Sequence, residues 1–294
     1  MAMILDGNAL SAEIRTEVAA DVAQLTAATG IVPGLNLLLV GEDPASTVYV
    51  RNKSKDCEKV GIRSIVLRLP AAATEAEVLH QVRVWNADPS VHGILVQLPV
   101  PKHINEHLVI RTIDPNKDVD GFHPENAGRL MIGLDGFIPC TPYGVLEILK
   151  RYSIETSGRH VVVVGRSNIV GKPLAMLLAQ KRPQGNATVT ICHTGTIDLA
   201  EHTRRADIVI SAVGVHGVIT AEHIKVGAVV IDVGINRITL PDGTTKLTGD
   251  VLFDEVSMKA SAITPVPGGV GPMTRAMLLR NTLTSAERVA GVKQ

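Results

Sequence analysis

Tyr49 and Lys53 are the first residues in this 294-residue chain whose types and spacing could do chemistry. They stand four apart in the segment 46–55, and on a helix residues i and i+4 share a face. A phenol and an amine converging on a cleft can move protons if burial takes the amine out of bulk water. The competing reading is a solvated basic face of Arg51, Lys53 and Lys55, and from this segment alone it is the stronger one. Gln97 closes an apolar run, 93–98, that Pro99 and Pro101 cut off. A polar side chain at the carboxyl end of a buried strand is placed for a ligand, although a plain edge glutamine reads the same way. Asp118 and Asp120 lie one residue apart in Lys117-Asp118-Val119-Asp120-Gly121-Phe122. Two carboxylates without a nearby His or further acids are weak grounds for a metal, and no metal site is expected.

A second set of residues points to a nucleotide. The apolar run 161–164 leads into Gly165-Arg166-Ser167-Asn168-Ile169-Val170-Gly171, which opens a helical pattern. Such a turn lets backbone N–H groups approach a pyrophosphate while the helix dipole favours its charge. The spacing GxSxxxG departs from GxGxxG, so its weight comes from its place between a strand and a helix. An NAD site wants an acid about 20 residues on to hold the ribose hydroxyl, yet none occurs from 165 through 197. Arg166 and Thr194 could instead hold a 2′-phosphate, which favours NADP; the alternative leaves Arg166 in solvent. His193 reads as a satisfied loop histidine. Gly214 and Ile235 follow two further strands and should line the cofactor crevice. Asp232 could be a metal ligand but more often organises a loop. The segment 264–274 is too rich in Gly and Pro for regular structure, so its free N–H groups could cradle an anionic or heterocyclic ligand.

These residues need a scaffold, and the patterning supplies an alternating one. Helical spacing runs through Leu10, Ile14, Val18, Val22 and Leu25, and strand-length apolar runs occupy 35–40, 62–69 and 93–98. A helix capped by Ser46 or Thr47 reaches about Val60, and Thr74 with Glu77 forms a capping box for a helix over 74–86. The stretch 114–142 has no sustained periodicity and reads as an interdomain crossing that carries function. A helix starts over 145–149. Beyond it, strands at 161–164, 188–192, 208–212 and 229–233 alternate with helices at 170–181 and near Leu199, and 274–289 is helical. The expected fold is α/β with two domains, a parallel-sheet domain and a Rossmann-type dinucleotide-binding domain, with a cleft between them. The division falls at 1–142 plus the returning helix 274–294 for the first and 143–273 for the second.

Lys plus Arg and Asp plus Glu are both 29, and aromatics are 2%. A balanced charge and few stacking rings argue against nucleic acid or an anionic membrane as partner. Cys57, Cys140 and Cys192 are odd in number and far apart, which fits a reducing cytoplasm rather than a disulfide framework. Residues 1–8 lack the pattern of a secretory signal, and no apolar run is long enough to span a membrane.

The tyrosine–lysine helix, Gln97-Leu98-Pro99, the segment 117–122, Pro139-Cys140-Thr141-Pro142, the segment 165–173 and the segment 265–274 stand in order. Together they resemble the bifunctional methylenetetrahydrofolate dehydrogenase/methenyltetrahydrofolate cyclohydrolase (FolD) family over nearly the whole chain. Val100 stands where leucine is usual, and Thr194 where serine is common. The resemblance implies oxidation of 5,10-methylene-tetrahydrofolate by NADP and hydrolysis of the methenyl product to 10-formyl-tetrahydrofolate, in one-carbon metabolism that feeds purine biosynthesis. It assigns Lys53 as the catalytic lysine, Gln97 as its positioning partner and Asp120 as the carboxylate that bonds the pterin. Tyr49 would contact the folate, with Pro267, Gly268 and Gly271 as a folate-side wall. Gly165, Arg166, Ser167, Thr194 and Ile235 would contact NADP, and the protein would be a cytoplasmic homodimer joined through its cofactor domains. Two other readings compete: a dehydrogenase of shikimate or amino-acid type, and a non-catalytic NADP or folate sensor. Lys53, Gln97 and Asp120 standing together argue against both.

Overall fold

The computed structural model describes residues 1–240 and 243–292, with the side chain of Ala45 set aside. The last two residues of the expected domain range 274–294 lie outside them. In chain order the elements are β1 (Met3–Ile4), α1 (Gly7–Thr29), β2 (Gly34–Val40), α2 (Pro44–Lys59), β3 (Arg63–Leu69), α3 (Glu75–Ala87), β4 (Gly93–Val96), α4 (Glu106–Thr112), α5 (Pro124–Ile132) and α6 (Cys140–Arg151). There follow β5 (His160–Val164), α7 (Gly171–Ala179), β6 (Thr188–Cys192), α8 (Leu199–Thr203), β7 (Ile208–Ser211), β8 (Val229–Asp232), β9 (Asn236–Thr239), β10 (Thr245–Thr248), α9 (Phe253–Ser257), β11 (Ala262–Ile263) and α10 (Val270–Val289).

The chain divides into two compact units. One comprises Ala12–Cys140 and the residues from Arg275 onward; the other comprises Met1–Ser11 and Thr141–Thr274. These units differ from the sequence division at the amino terminus, where Met1–Ser11 groups with the second unit. The cause is strand pairing: Met3 and Ile4 add β1 in parallel to Ala262 and Ile263 of β11.

The three-stranded unit has a parallel sheet in the order β3-β2-β4. β2 is buried along its whole length, as a central strand covered on both faces must be. Leu38 and Val40 pack with Val78, Leu79, Val82 and Trp85 of α3 and Val109 of α4. Each such side chain contributes about 1.5–3 kcal/mol when fully buried. Thr74 and Glu77 close the expected capping box on α3. α2 begins at least three residues earlier than expected, because Asp43, rather than Ser46 or Thr47, is the cap: its carboxylate accepts from Ser46 N at 2.7 Å and Pro44 opens the first turn. α10 also starts early, inside the Gly/Pro segment, with Pro272 in its first turn, where a missing N–H costs nothing. The stretch 114–142 is less irregular than its composition suggests, since His123 caps α5 there.

The six-stranded unit is all parallel, ordered β1-β11-β8-β7-β5-β6, with a separate β9–β10 hairpin. From β5 the chain adds β6 on one side and β7 then β8 on the other. The strand order thus reverses beside β5, at the position where such sheets bind ligands. Among the described residues no helix is long and apolar enough to cross a membrane.

Candidate active site

In the three-stranded unit, α2 turns Val50 and Cys57 fully inward. Asp56, on the same side and only 5% exposed, is ion-paired to Arg275 at 2.8 Å. A buried carboxylate needs such a partner, and the pair fixes which way α2 faces. Lys53, one turn before Asp56 and Cys57, is consequently half-buried, whereas Arg51 and Lys55 are exposed. The basic-face reading holds for those two residues and fails for Lys53. Its amine donates to Gln97 Oε1 at 3.1 Å. Gln97 is itself oriented: its backbone N–H still bonds Leu38 O at the end of the sheet, and its side-chain amide donates to Leu98 O at 2.8 Å. That leaves the amide oxygen for Lys53. Tyr49, one turn earlier on α2, is 42% exposed.

Asp118 and Asp120 have different tasks. Asp118 is buried and accepts from Phe122 N (3.2 Å), His123 N (2.8 Å) and Asn126 Nδ2 (2.8 Å). Burial pushes its carboxyl up to about 7 against those hydrogen bonds, with the Asp120 charge adding to the rise. It is a loop organiser, and the loop it organises carries Asp120, which is half-buried. Lys117 is structural too, donating to the carbonyls of Trp85, Asn86 and Asp88 and so closing the end of α3. Asp120 lies against the buried thiol of Cys140, which donates to Val119 O at 3.4 Å. Burial raises that thiol well above its usual range, the Asp120 charge raises it further, and the Lys53 charge acts the other way. Asp120 and Lys53 therefore both act on one sulfur, and Gln97 joins them through its hydrogen bond to Lys53.

In the six-stranded unit, Gly165 leaves β5 at φ +125°, and a Cβ there would collide with the Ala212 carbonyl at the end of β7. A Cβ on Gly171 would meet the Gly165 carbonyl. Only glycine permits this compact turn. Ser167 Oγ accepts from Val170 N (3.2 Å) and Gly171 N (3.3 Å), which fixes the start of α7. Val164 pairs with Cys192, so Arg166, Ser167 and Thr194 emerge from adjacent strand ends, all exposed. His193 is a loop residue, its Nδ1 accepting from Gly195 N at 3.0 Å. This cradle, with a cation and two hydroxyls beside it, fits a phosphorylated dinucleotide. Pro267, Gly268 and Gly271 also lie in this unit. Gly268 O accepts from Asn8 N at 3.0 Å, and Gly271 sits beside Ile235, whose side chain is 49% exposed.

Residues 5–120 match the family model for the tetrahydrofolate dehydrogenase/cyclohydrolase catalytic domain, and residues 139–290 match its NAD(P)-binding domain. The chain belongs to the tetrahydrofolate dehydrogenase/cyclohydrolase family. The bifunctional protein FolD of Prosthecochloris aestuarii is 57% identical over 290 residues, covering 97% of this chain and 98% of its own. The bifunctional FolD crystal structure from Campylobacter jejuni is 49% identical, with a TM-score of 0.92 over 98% of this chain and 99% of its own. The dehydrogenase–cyclohydrolase of Trypanosoma brucei, solved with NADP and an inhibitor, is 40% identical, with a TM-score of 0.92 over 100% of this chain and 99% of its own. Lys53, Gln97 and Asp120 fall within the match to the family's catalytic domain, and the 165–171 turn within its NAD(P)-binding domain.

Sequence reasoning missed three residues that shape these sites. Cys140 was visible only as part of a motif. Asn281 of α10 donates to Val119 O (2.8 Å) and Ile138 O (3.0 Å), on both sides of the Asp120 loop. Asp250 follows a hairpin that alternation in 236–248 could have suggested. Asp232, as the loop-organiser alternative held, accepts from Gly234 N, Asp250 N and Val251 N. Among the described residues no group of three or more His, Cys, Asp or Glu could hold a metal.

Proposed function

We infer that this chain oxidises 5,10-methylene-tetrahydrofolate to the 5,10-methenyl form with NADP and hydrolyses that product to 10-formyl-tetrahydrofolate. The observation that carries the reading is the Lys53–Gln97 hydrogen bond beside Asp120, in a chain of this family. Bound NADP supplies the hydride acceptor. The chain's own residues then have to orient the folate, deliver water and handle one proton. Hydride removal leaves a cation, so no protein anion is needed to trap it and positioning dominates. Gln97 holds the Lys53 amine in one place, from which it takes the proton of the water that attacks the methenyl carbon. Asp120 accepts from the pterin, and Tyr49 presents its ring to the folate. Arg166, Ser167 and Thr194 bind the phosphorylated ribose, the Gly165 turn the pyrophosphate, and Ile235 the cofactor rings. Pro267, Gly268 and Gly271 line the folate side.

The reading extends to a homodimer joined through the cofactor domains, working in the cytoplasm and supplying purine biosynthesis. Its support is the family resemblance, and light scattering should give the mass of two chains. The decisive assay follows NADPH formation from methylene-tetrahydrofolate and loss of the methenyl absorbance in the same preparation. Lys53→Met should lower methenyl hydrolysis at least about 100-fold, as removal of a general acid–base group does. Hydrolysis at the parent rate would remove Lys53 from the mechanism.

A further inference from the structure

Asp250 is fully buried, and its side chain is given no task by the reading above. Its Oδ2 accepts from Ser211 Oγ (3.1 Å), Val213 N (2.8 Å) and Gly214 N (3.3 Å). Its Oδ1 accepts from Val215 N (3.0 Å) and Asn236 Nδ2 (3.0 Å). The donors are neutral N–H and O–H groups, and they come from two segments: the exit of β7 and the residue after Ile235 at the exit of β8. Asp232 holds Asp250 in turn, through the backbone N–H groups of Asp250 and Val251 (3.0 and 2.9 Å).

What these two segments present is unusual for clamped backbone. Val215 is 57% exposed and Ile235 49% exposed. β7 and β8 are adjacent parallel strands, Ser211 pairing with Asp232, so both aliphatic side chains stand at the carboxyl edge of the sheet, on the same side of β5 as the collision partner of Gly165, Ala212. Exposed aliphatic groups on rigidly held backbone make a preorganised binding wall. Burying a carboxylate at this depth is costly, and five hydrogen bonds spent on two loop exits offset that cost where a ligand would press.

We propose that Asp250 is a positioning residue for the dinucleotide: it ties the 213–215 backbone to the side chain of Asn236, next to Ile235, so that Val215 and Ile235 form one apolar wall against the cofactor rings. This rests on the NADP reading of the same cradle. Asp250 itself is fully buried, so its effect is transmitted through the placement of these two segments. The hydrolytic residues Lys53, Gln97 and Asp120 belong to the other unit, which gives the inference a readout that a general structural role would not share.

The test is Asp250→Asn, which keeps the shape but turns one edge of the side chain into a donor facing donors. NADP binding is measured by calorimetry, and oxidation and methenyl hydrolysis are assayed separately. The expected result is an NADP Kd raised about tenfold or more, where tenfold corresponds to about 1.4 kcal/mol. Oxidation should fall with it, while hydrolysis stays within about threefold of the parent. Should Asp250→Asn not fold, Asn236→Ala removes a single donor from the half-buried segment and should raise the same Kd severalfold with hydrolysis unchanged. An unchanged Kd in the folded variant, or oxidation and hydrolysis falling in parallel, overturns the inference. Failure of the functional reading looks different, because there the parent protein itself neither binds NADP nor turns over either folate.

Discussion

A 2′-phosphate is the only chemical difference between NADP and NAD, and on the proposed reading Arg166 is the cation that meets it. The residue is exposed and sits one position past a glycine that no other residue could replace. A charge-assisted hydrogen bond contributes about 1.5–3 kcal/mol, or roughly 10- to 100-fold in affinity. Arg166→Ala should raise the KM for NADP by that factor and leave the KM for NAD unchanged. Because the guanidinium is in solvent, added salt should narrow the gap between parent and variant. Steady-state kinetics with both cofactors at two ionic strengths checks this, and equal losses with both would release Arg166 from the role. Lys53 is the opposite case: its neighbours in sequence are solvent-facing cations, and what distinguishes it is the rotation of α2 set by Asp43 at one end and the Asp56–Arg275 pair near the other.

At the scale of elements, the Asp120 loop depends on a helix whose Asn281 lies 162 residues after Val119. Asn281 of α10 is 4% exposed and donates to carbonyls on both sides of that loop. Ser285, one turn on, donates its single hydroxyl proton to His92 O (2.6 Å), with Asn116 O also in reach of that oxygen (3.0 Å). Arg280 pairs with Asp21 (2.7 Å) and Glu17 (3.0 Å) of α1. Asn281→Ala strands two acceptors and should cost about 1–3 kcal/mol, read as a lower urea midpoint. It should also raise the folate KM severalfold while NADP affinity is unchanged; a stability loss with no KM change would separate the helix from the site. Long elements with one dominant period were legible in the sequence, β2, β5, β6, α1 and α3 among them. The cradle and the Lys53, Gln97 and Asp120 set were legible through motif types. The short pieces were not: β1 and β11 are two residues each, and their pairing is a long-range fact that no local period encodes. Asp250 and Asn281 were silent because they act chiefly through backbone amides and carbonyls far away in sequence, which leave no signature of residue type.

Taken over the whole molecule, acidic and basic residues are equal in number, and the buried groups that titrate near neutrality also oppose one another. Asp118 in one unit is pushed up to about 7 and Asp232 in the other to about 6, in each case chiefly by burial, from an ordinary 3.8. A folded state that binds a proton more tightly than the unfolded chain gains stability as pH falls. These two contributions are therefore fully present below about pH 4 and are lost as pH rises through 6 and 7. His92 and His223 are pushed below 6.5, again chiefly by burial, and their contributions run the other way, being lost as pH falls below 6.5. With two groups of each sign, the parent protein should show a shallow stability profile between pH 5 and 7. Asp118→Asn removes one side of that balance. The amide meets N–H donors where the carboxylate accepted, a cost that does not vary with pH, so the sign of the slope is what identifies the titration. Between pH 5 and 8 the variant should gain on the parent by about 2–3 kcal/mol, from two units of pH at about 1.4 kcal/mol each. Urea unfolding of both proteins at four pH values measures this directly, and parallel curves would mean that Asp118 is ionised throughout, its three donors outweighing its burial.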